Sequence, residues 1–323
     1  MPRSPVLTGL LTQRDRAHLR GRLDRKRART ELSENRVAEL VAWLGDHVDR
    51  RSEVAALESL DLTRFLRDTA SIDLDPDERL RHLAIHLEMD LACREQPRGW
   101  LALDRIYREA IRLDPLGIRV RVSRAVTAHE CAESLPQIGA PRSEWIASPV
   151  RRRMMSIAHA SIQEALALDP KAASVVRRVG DLLYFDPDHT PIEAIEWYDR
   201  ALALDAHEEW AALYRAHCLQ DLERWREAAE AYDAVNPASL TSSRAWRYEL
   251  LLEQRAYCWM KAGETDRARR EFEALLDRWV RNPKLTEMMT GWLIEEAVGL
   301  VLPEEKRGQV RGLFGREPIG RDG

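Results

Sequence analysis

Two histidines one helical turn apart open the search for chemistry. His82 and His86 stand in the stretch HLAIH, a spacing that puts both imidazoles on one side of a helix, where a pair can hold a metal ion. The zinc-protease arrangement needs a glutamate directly after the first histidine to act as base, and that place is Leu83. Glu88 and Asp90 come next, but no third ligand is evident. A second grouping, His129, Glu130 and Cys131, is contiguous, and adjacent helical residues point in different directions rather than at one ion or substrate. Phosphate-cradling glycine loops, dinucleotide glycine patterns and the G-x-S-x-G nucleophile elbow are missing from the sequence. The abundant carboxylates read as helix-surface charge. The chain is therefore expected to be non-enzymatic, with no metal and no cofactor.

Composition agrees with a large, well-solvated helical protein. Of 323 residues, 45% are apolar and 32% charged, enough for a core and a charged surface around it. Glycine and proline number 15 each, a modest count that favours helices over turn-rich β structure. The net charge of −4 is unevenly spread: residues 1–30 carry nine basic and two acidic side chains, a local +7, which leaves −11 for the remainder. Such an arm is a solvated helix, docks on the acidic body, or meets an anionic partner such as nucleic acid. Neither zinc-finger spacing nor an RNA-recognition signature accompanies it. Cys93, Cys131, Cys218 and Cys258 are widely spaced, as expected of buried free thiols in a reducing compartment. The start of the chain has too short an apolar run for a secretion signal, and no stretch approaches a membrane span. The expected location is the cytoplasm.

The elements behind this surface repeat. EALALDP at 164–170 is answered by RALALDA at 200–206. Ala158, Ala194, Ala228 and Ala268 each begin a similar helical stretch. Four residues on come Ile162, Tyr198, Tyr232 and Phe272, and three further Ala165, Ala201, Val235 and Leu275. The small residue allows close helix approach and the large one fills the space between units. A preceding helix carries its own small residue at Ala125, Gly180, Ala216 and Ala256. An apolar side chain sits four before it at Val176, Ala212 and Leu252, but Arg121 takes that place in the first unit. Successive intervals from Ala165 to Ala201, Val235 and Leu275 are 36, 34 and 40 residues. The extra residues fall in FDPDHTP, 185–191, and NPASLTSS, 236–243, loops where insertion is tolerated. An earlier unit pairs ERLRHLAIHLEMDLACRE, 78–95, with DRIYREAIRLDP, 104–115.

This pattern resembles the tetratricopeptide repeat (TPR), a helix–turn–helix of about 34 residues. The resemblance covers roughly 78–280 in four to five units. It implies an all-α, right-handed α-solenoid of stacked hairpins and a protein–protein interaction scaffold or adaptor. In the family, the first helices of successive units line a concave face that holds a peptide or partner helix. Carried over by position, that face includes Arg177, Asp181, Tyr184, Trp210, Leu213, His217, Glu253 and Tyr257. Trp210 and Tyr257 are either anchors for a partner or inter-unit packing. The Lys/Asn clamp that grips a C-terminal carboxylate in some members is absent from these positions.

The remaining segments complete the layout: a basic arm over 1–32, an N-terminal helical segment over 33–77, and the solenoid over 78–282 with a long insert near 135–149. A capping helix is expected over 283–302 and a disordered tail over 303–323, in which Leu313 and Phe314 form a short apolar pair. An adaptor that binds a protein partner is the first reading. A TPR regulator whose residues 1–30 contact nucleic acid is the alternative, and no membrane is involved in either.

Overall fold

Alanine, leucine and arginine dominate the long stretches between turn residues, and all three favour helix. The computed structural model describes residues 39, 42–43, 60–72, 74–90, 97–134, 148–236, 245–286, 289 and 291–314. Their regular structure is helical: α1 Leu62–Asp68, α2 Pro76–Asp90, α3 Pro97–Leu113, α4 Ile118–Ser134, α5 Pro149–Leu168, α6 Ala173–Phe185, α7 Pro191–Leu204, α8 Glu209–Asp221, α9 Trp225–Ala234, α10 Ala245–Lys261, α11 Thr265–Arg281, α12 Trp292–Ala297 and α13 Arg307–Phe314. The protein is an all-α solenoid of TPR-like hairpins. No described helix is long and apolar enough to cross a membrane. The basic arm 1–32, most of 33–59, the insert 135–147 and residues 315–323 lie outside the described residues.

The chain forms two compact units, one ending at Asp188 and the other beginning at His189. In the first, α2 packs on α3, α4 on both α3 and α5, and α6 on α5. In the second, α7 packs on α8, α8 on α9, α9 on α10 and α10 on α11. The repeat pattern supplies the seams. Of the twelve residues at the Ala, large and apolar positions from Ala158 to Leu275, none is more than 3% exposed. The small residues of the first helices, Ala125, Gly180, Ala216 and Ala256, are buried too.

Arg121, the misfit in that pattern, has a local task. Its terminal nitrogens donate to the carbonyls of Pro115 (2.8 Å) and Gly117 (3.0 Å), and its Nε to Glu164 (3.2 Å). It thus closes the α3–α4 turn and ties it to α5. The turns of the last two hairpins share one geometry. Arg224 N–H bonds the Leu219 carbonyl at 2.9 Å, and Glu264 N–H bonds the Trp259 carbonyl at 2.9 Å. This six-residue closure ends a helix through one left-handed residue. Gly263 supplies it at φ +85°, but Glu223 does so at φ +58°.

The end of the chain differs from expectation. Instead of one capping helix over 283–302, a 3-10 turn at Pro283–Thr286 precedes the short α12. Pro283 starts the break, and Gly291 (φ +74°) and Gly299 (φ +88°) bound α12. Nor is the tail disordered from 303 onward: α13 packs on α11, with Val310 buried and the Phe314 ring edge-on to Trp279 at 5.7 Å. Alternating glycine and charge suggested disorder, but two well-placed apolar side chains suffice to seat this helix.

Candidate functional site

The helices that would carry a partner face are α6, α8 and α10, the first helices of their hairpins. In the unit ending at Asp188, α6 places Arg177 and Asp181 one turn apart as an ion pair, with Arg178 joining at 3.1 Å. Both members of the pair are buried, as is Tyr184, whose ring meets Phe185 edge-on at 5.0 Å. The same unit holds a second ionic group, centred on buried Arg151 and Asp186. Arg151 is 3.5 Å from Glu133 and 3.4 Å from Asp186, and His159 is 3.5 Å from Asp186. Burial alone would raise the Asp186 carboxyl. His159, the Asp188 backbone N–H and Arg151 outweigh it and hold the group at about 2.

In the unit beginning at His189, aromatic rings step inward along α8. Trp210 is half-buried, with the Arg247 guanidinium 4.3 Å from its ring centre. Tyr214 stacks on it at 6.1 Å, His217 comes next at 5.7 Å, and Tyr232 at 5.5 Å from His217. The last step is also polar. The Tyr232 hydroxyl lies 2.5 Å from His217 Nδ1, 2.8 Å from Gln220 Oε1 and 3.0 Å from Gln254 Oε1. Complete burial, reinforced by the Arg247 charge, pushes the His217 imidazole down to about 3, so the ring is neutral. Leu213 is buried beside it.

Glu253 and Tyr257, expected on an open face, are instead closed over by α12. Tyr257 donates to Glu296 at 2.9 Å and its ring sits 6.2 Å from Trp292. Lys261 bridges to Glu296 at 3.2 Å and lies 5.4 Å from the Tyr257 ring centre. Glu253 is 0% exposed. Burial lifts its carboxyl to about 8, against the Ile294 backbone N–H at the head of α12 and with help from the Glu295 charge. The acid is therefore mostly neutral at pH 7. Helix α12 caps the final apolar face of the array and takes these two side chains with it.

The structure thus leaves Trp210, with Arg247 and Tyr214, as the half-exposed part of the expected set in this unit. Arg247 was not foreseen, because it lies on the next hairpin and only the turn back of the chain brings it over the indole. Of the residues first weighed for metal chemistry, His82 is buried with Nε2 2.9 Å from the Arg81 guanidinium, a cation where an ion would have to sit. The His129 ring packs on Phe185 at 5.6 Å, and Cys131, Cys218 and Cys258 are buried thiols outside any disulfide.

No family model matches the sequence, and no curated protein matches it. Among the solved structures that resemble the chain are two that each share 16% identity with it. PilW, a type IV pilus biogenesis factor, aligns with a TM-score of 0.46 over 76% of this chain and 96% of its own. A tetratricopeptide repeat protein from Parabacteroides merdae aligns with a TM-score of 0.44 over 87% of this chain and 100% of its own.

Proposed function

We propose that the protein is a non-enzymatic adaptor that binds a peptide or helix of another protein along the first helices of its hairpins. The observation that carries this reading is the Trp210–Arg247–Tyr214 ledge. It is a rigid aromatic surface, backed by buried rings and half-open to solvent. Aromatic and arginine side chains of this kind are the usual anchors of protein interfaces. In the earlier unit, Arg177, Asp181 and Tyr184, all buried, would stiffen α6 rather than touch a partner. In the later unit, Leu213, His217, Glu253 and Tyr257 take the same supporting role. Three buried thiols outside any disulfide suit a reducing compartment such as the cytoplasm.

The test is selection of peptide ligands from a displayed library against the full chain. Trp210→Ala and Arg247→Ala should each weaken selected ligands by about tenfold, equal to roughly 1.4 kcal/mol. Ligands that bind both variants as tightly as the parent would remove this face from consideration. A second reading rests on the +7 charge of residues 1–30, which suits nucleic acid. Titration with a DNA duplex, with and without that segment, decides it: unchanged, salt-insensitive binding after its removal rejects the reading.

A further inference from the structure

Helix α11 carries a second pattern besides its buried stripe. Ala268, Phe272, Leu276 and Trp279 face the core, while Arg267, Arg270, Ala274, Arg278 and Arg281 fall together on another side. With Tyr248, Leu252 and Arg255 of α10 and Leu285 beyond α11 they line a groove of about 960 Å³. This groove is distinct from the partner face proposed above. None of Trp210, Tyr214 and Arg247, the residues of that face, lines it.

The charges in the groove are only partly answered. Arg255 pairs with Asp233 (3.2 Å) and Glu271 (2.8 Å), and Arg267 pairs with the same two acids (2.6 and 3.2 Å). Arg278 pairs with buried Glu249 at 2.6 Å. Arg270 and Arg281 are exposed and have no acidic partner among the described residues; Arg281 Nε donates only to the Asp277 carbonyl, 3.0 Å away. Two unanswered guanidinium groups thus stand three turns apart on α11, about 16 Å along its axis. Between them run Ala274, Leu275 and Leu252.

We propose that this groove docks an extended acidic segment of a partner polypeptide. Two of its carboxylates would pair with Arg270 and Arg281, and an apolar side chain between them would rest on Leu252 and Ala274. An extended chain rises about 3.3 Å per residue and turns alternate side chains to opposite faces, so two carboxylates on the groove-facing side lie about four or about six positions apart. Guanidinium groups match carboxylates in geometry, and the groove already shows this in the Arg255 and Arg267 pairs. Nucleic acid fits less well. Asp233 and Glu271 would repel a continuous run of phosphates, and Tyr248, the groove's aromatic ring, is already met by Arg278 at 5.2 Å, leaving no stacking platform.

The experiment uses the full chain and a fluorescent peptide with two aspartates four positions apart around a central leucine, so that all three side chains share one face of the extended chain. Its analogue with asparagines, and a single-stranded oligonucleotide, serve as the other arms. The acidic peptide should bind in a salt-dependent manner, and the asparagine analogue about tenfold more weakly. The double variant Arg270→Glu, Arg281→Glu should lose about the same factor without a change in melting temperature, because both side chains are exposed. Trp210→Ala should bind the acidic peptide as the parent does, which separates this surface from the first. Absence of binding, binding indifferent to the double variant, or tighter binding of the oligonucleotide than of the peptide would overturn the proposal.

Discussion

Glu253 is the side chain whose surroundings depart furthest from what its type prefers. A carboxyl held at about 8 in the fold and near its ordinary 4.5 when unfolded binds its proton more tightly in the native state. Its contribution to stability is therefore complete below about pH 4.5 and is lost as pH rises through about 8. Glu253→Gln keeps the shape of the neutral acid and removes the titration. Thermal melts should find variant and parent close at about pH 4, with the variant increasingly more stable toward about pH 9. His217 acts in the other direction. Its depressed basicity means the unfolded chain takes up the proton first, so stability falls on acidification from about 6.5 toward about 3. Tyr232 holds the same region from the centre. Tyr232→Phe strips one hydroxyl from His217, Gln220 and Gln254 at once, leaving buried polar groups unanswered. A loss of about 2–3 kcal/mol in urea unfolding is expected, and a loss below about 0.5 kcal/mol would show that the network contributes little.

At the level of the element, the two matched turns make a controlled comparison. Glu223 occupies the left-handed position that Gly263 fills in the next hairpin, at a steric cost of about 1 kcal/mol for a residue with a side chain. Glu223→Gly should therefore stabilise the protein by a little under about 1 kcal/mol, measured by urea unfolding, once the added freedom of the unfolded glycine is allowed for. The final turn gives the opposite case. A methyl group on Gly291 would run into the Phe314 ring and would have to accept φ +74°. Gly291→Ala should cost about 2 kcal/mol locally, seen as faster amide hydrogen exchange over α12 and α13. The sequence announced the α8–α9 and α10–α11 hairpins through small and large residues at fixed intervals, which depend only on helix period. It did not announce the broken cap. There, Gly291 and Gly299 read as ordinary helix residues until their dihedral angles are known.

For the molecule as a whole, the repeat was legible because each hairpin buries the same three kinds of residue against the next. The partner face was less so. Position within the repeat selected Glu253 and Tyr257, but whether such residues stay open depends on the path of the chain beyond the last hairpin, and α12 covers them. Helix period alone places Arg270 and Arg281 on one side of α11, but sequence spacing cannot say that Asp233 and Glu249 pair with Arg255, Arg267 and Arg278 and leave these two without an acidic partner among the described residues. Arg247 over Trp210 was invisible for a similar reason: the pairing joins two hairpins through space, not through a period.

The Tyr232 hydroxyl joins α8, through His217 and Gln220, to α9 and, through Gln254, to α10. In a repeat array each hairpin touches only its neighbours, so such arrays can peel apart one hairpin at a time when stretched. Here a single phenol knots adjoining hairpins together, so tension applied along the chain should release them in one larger step rather than two. Optical-tweezer traces of the parent and of Tyr232→Phe would register the difference as a long extension that divides into two shorter ones.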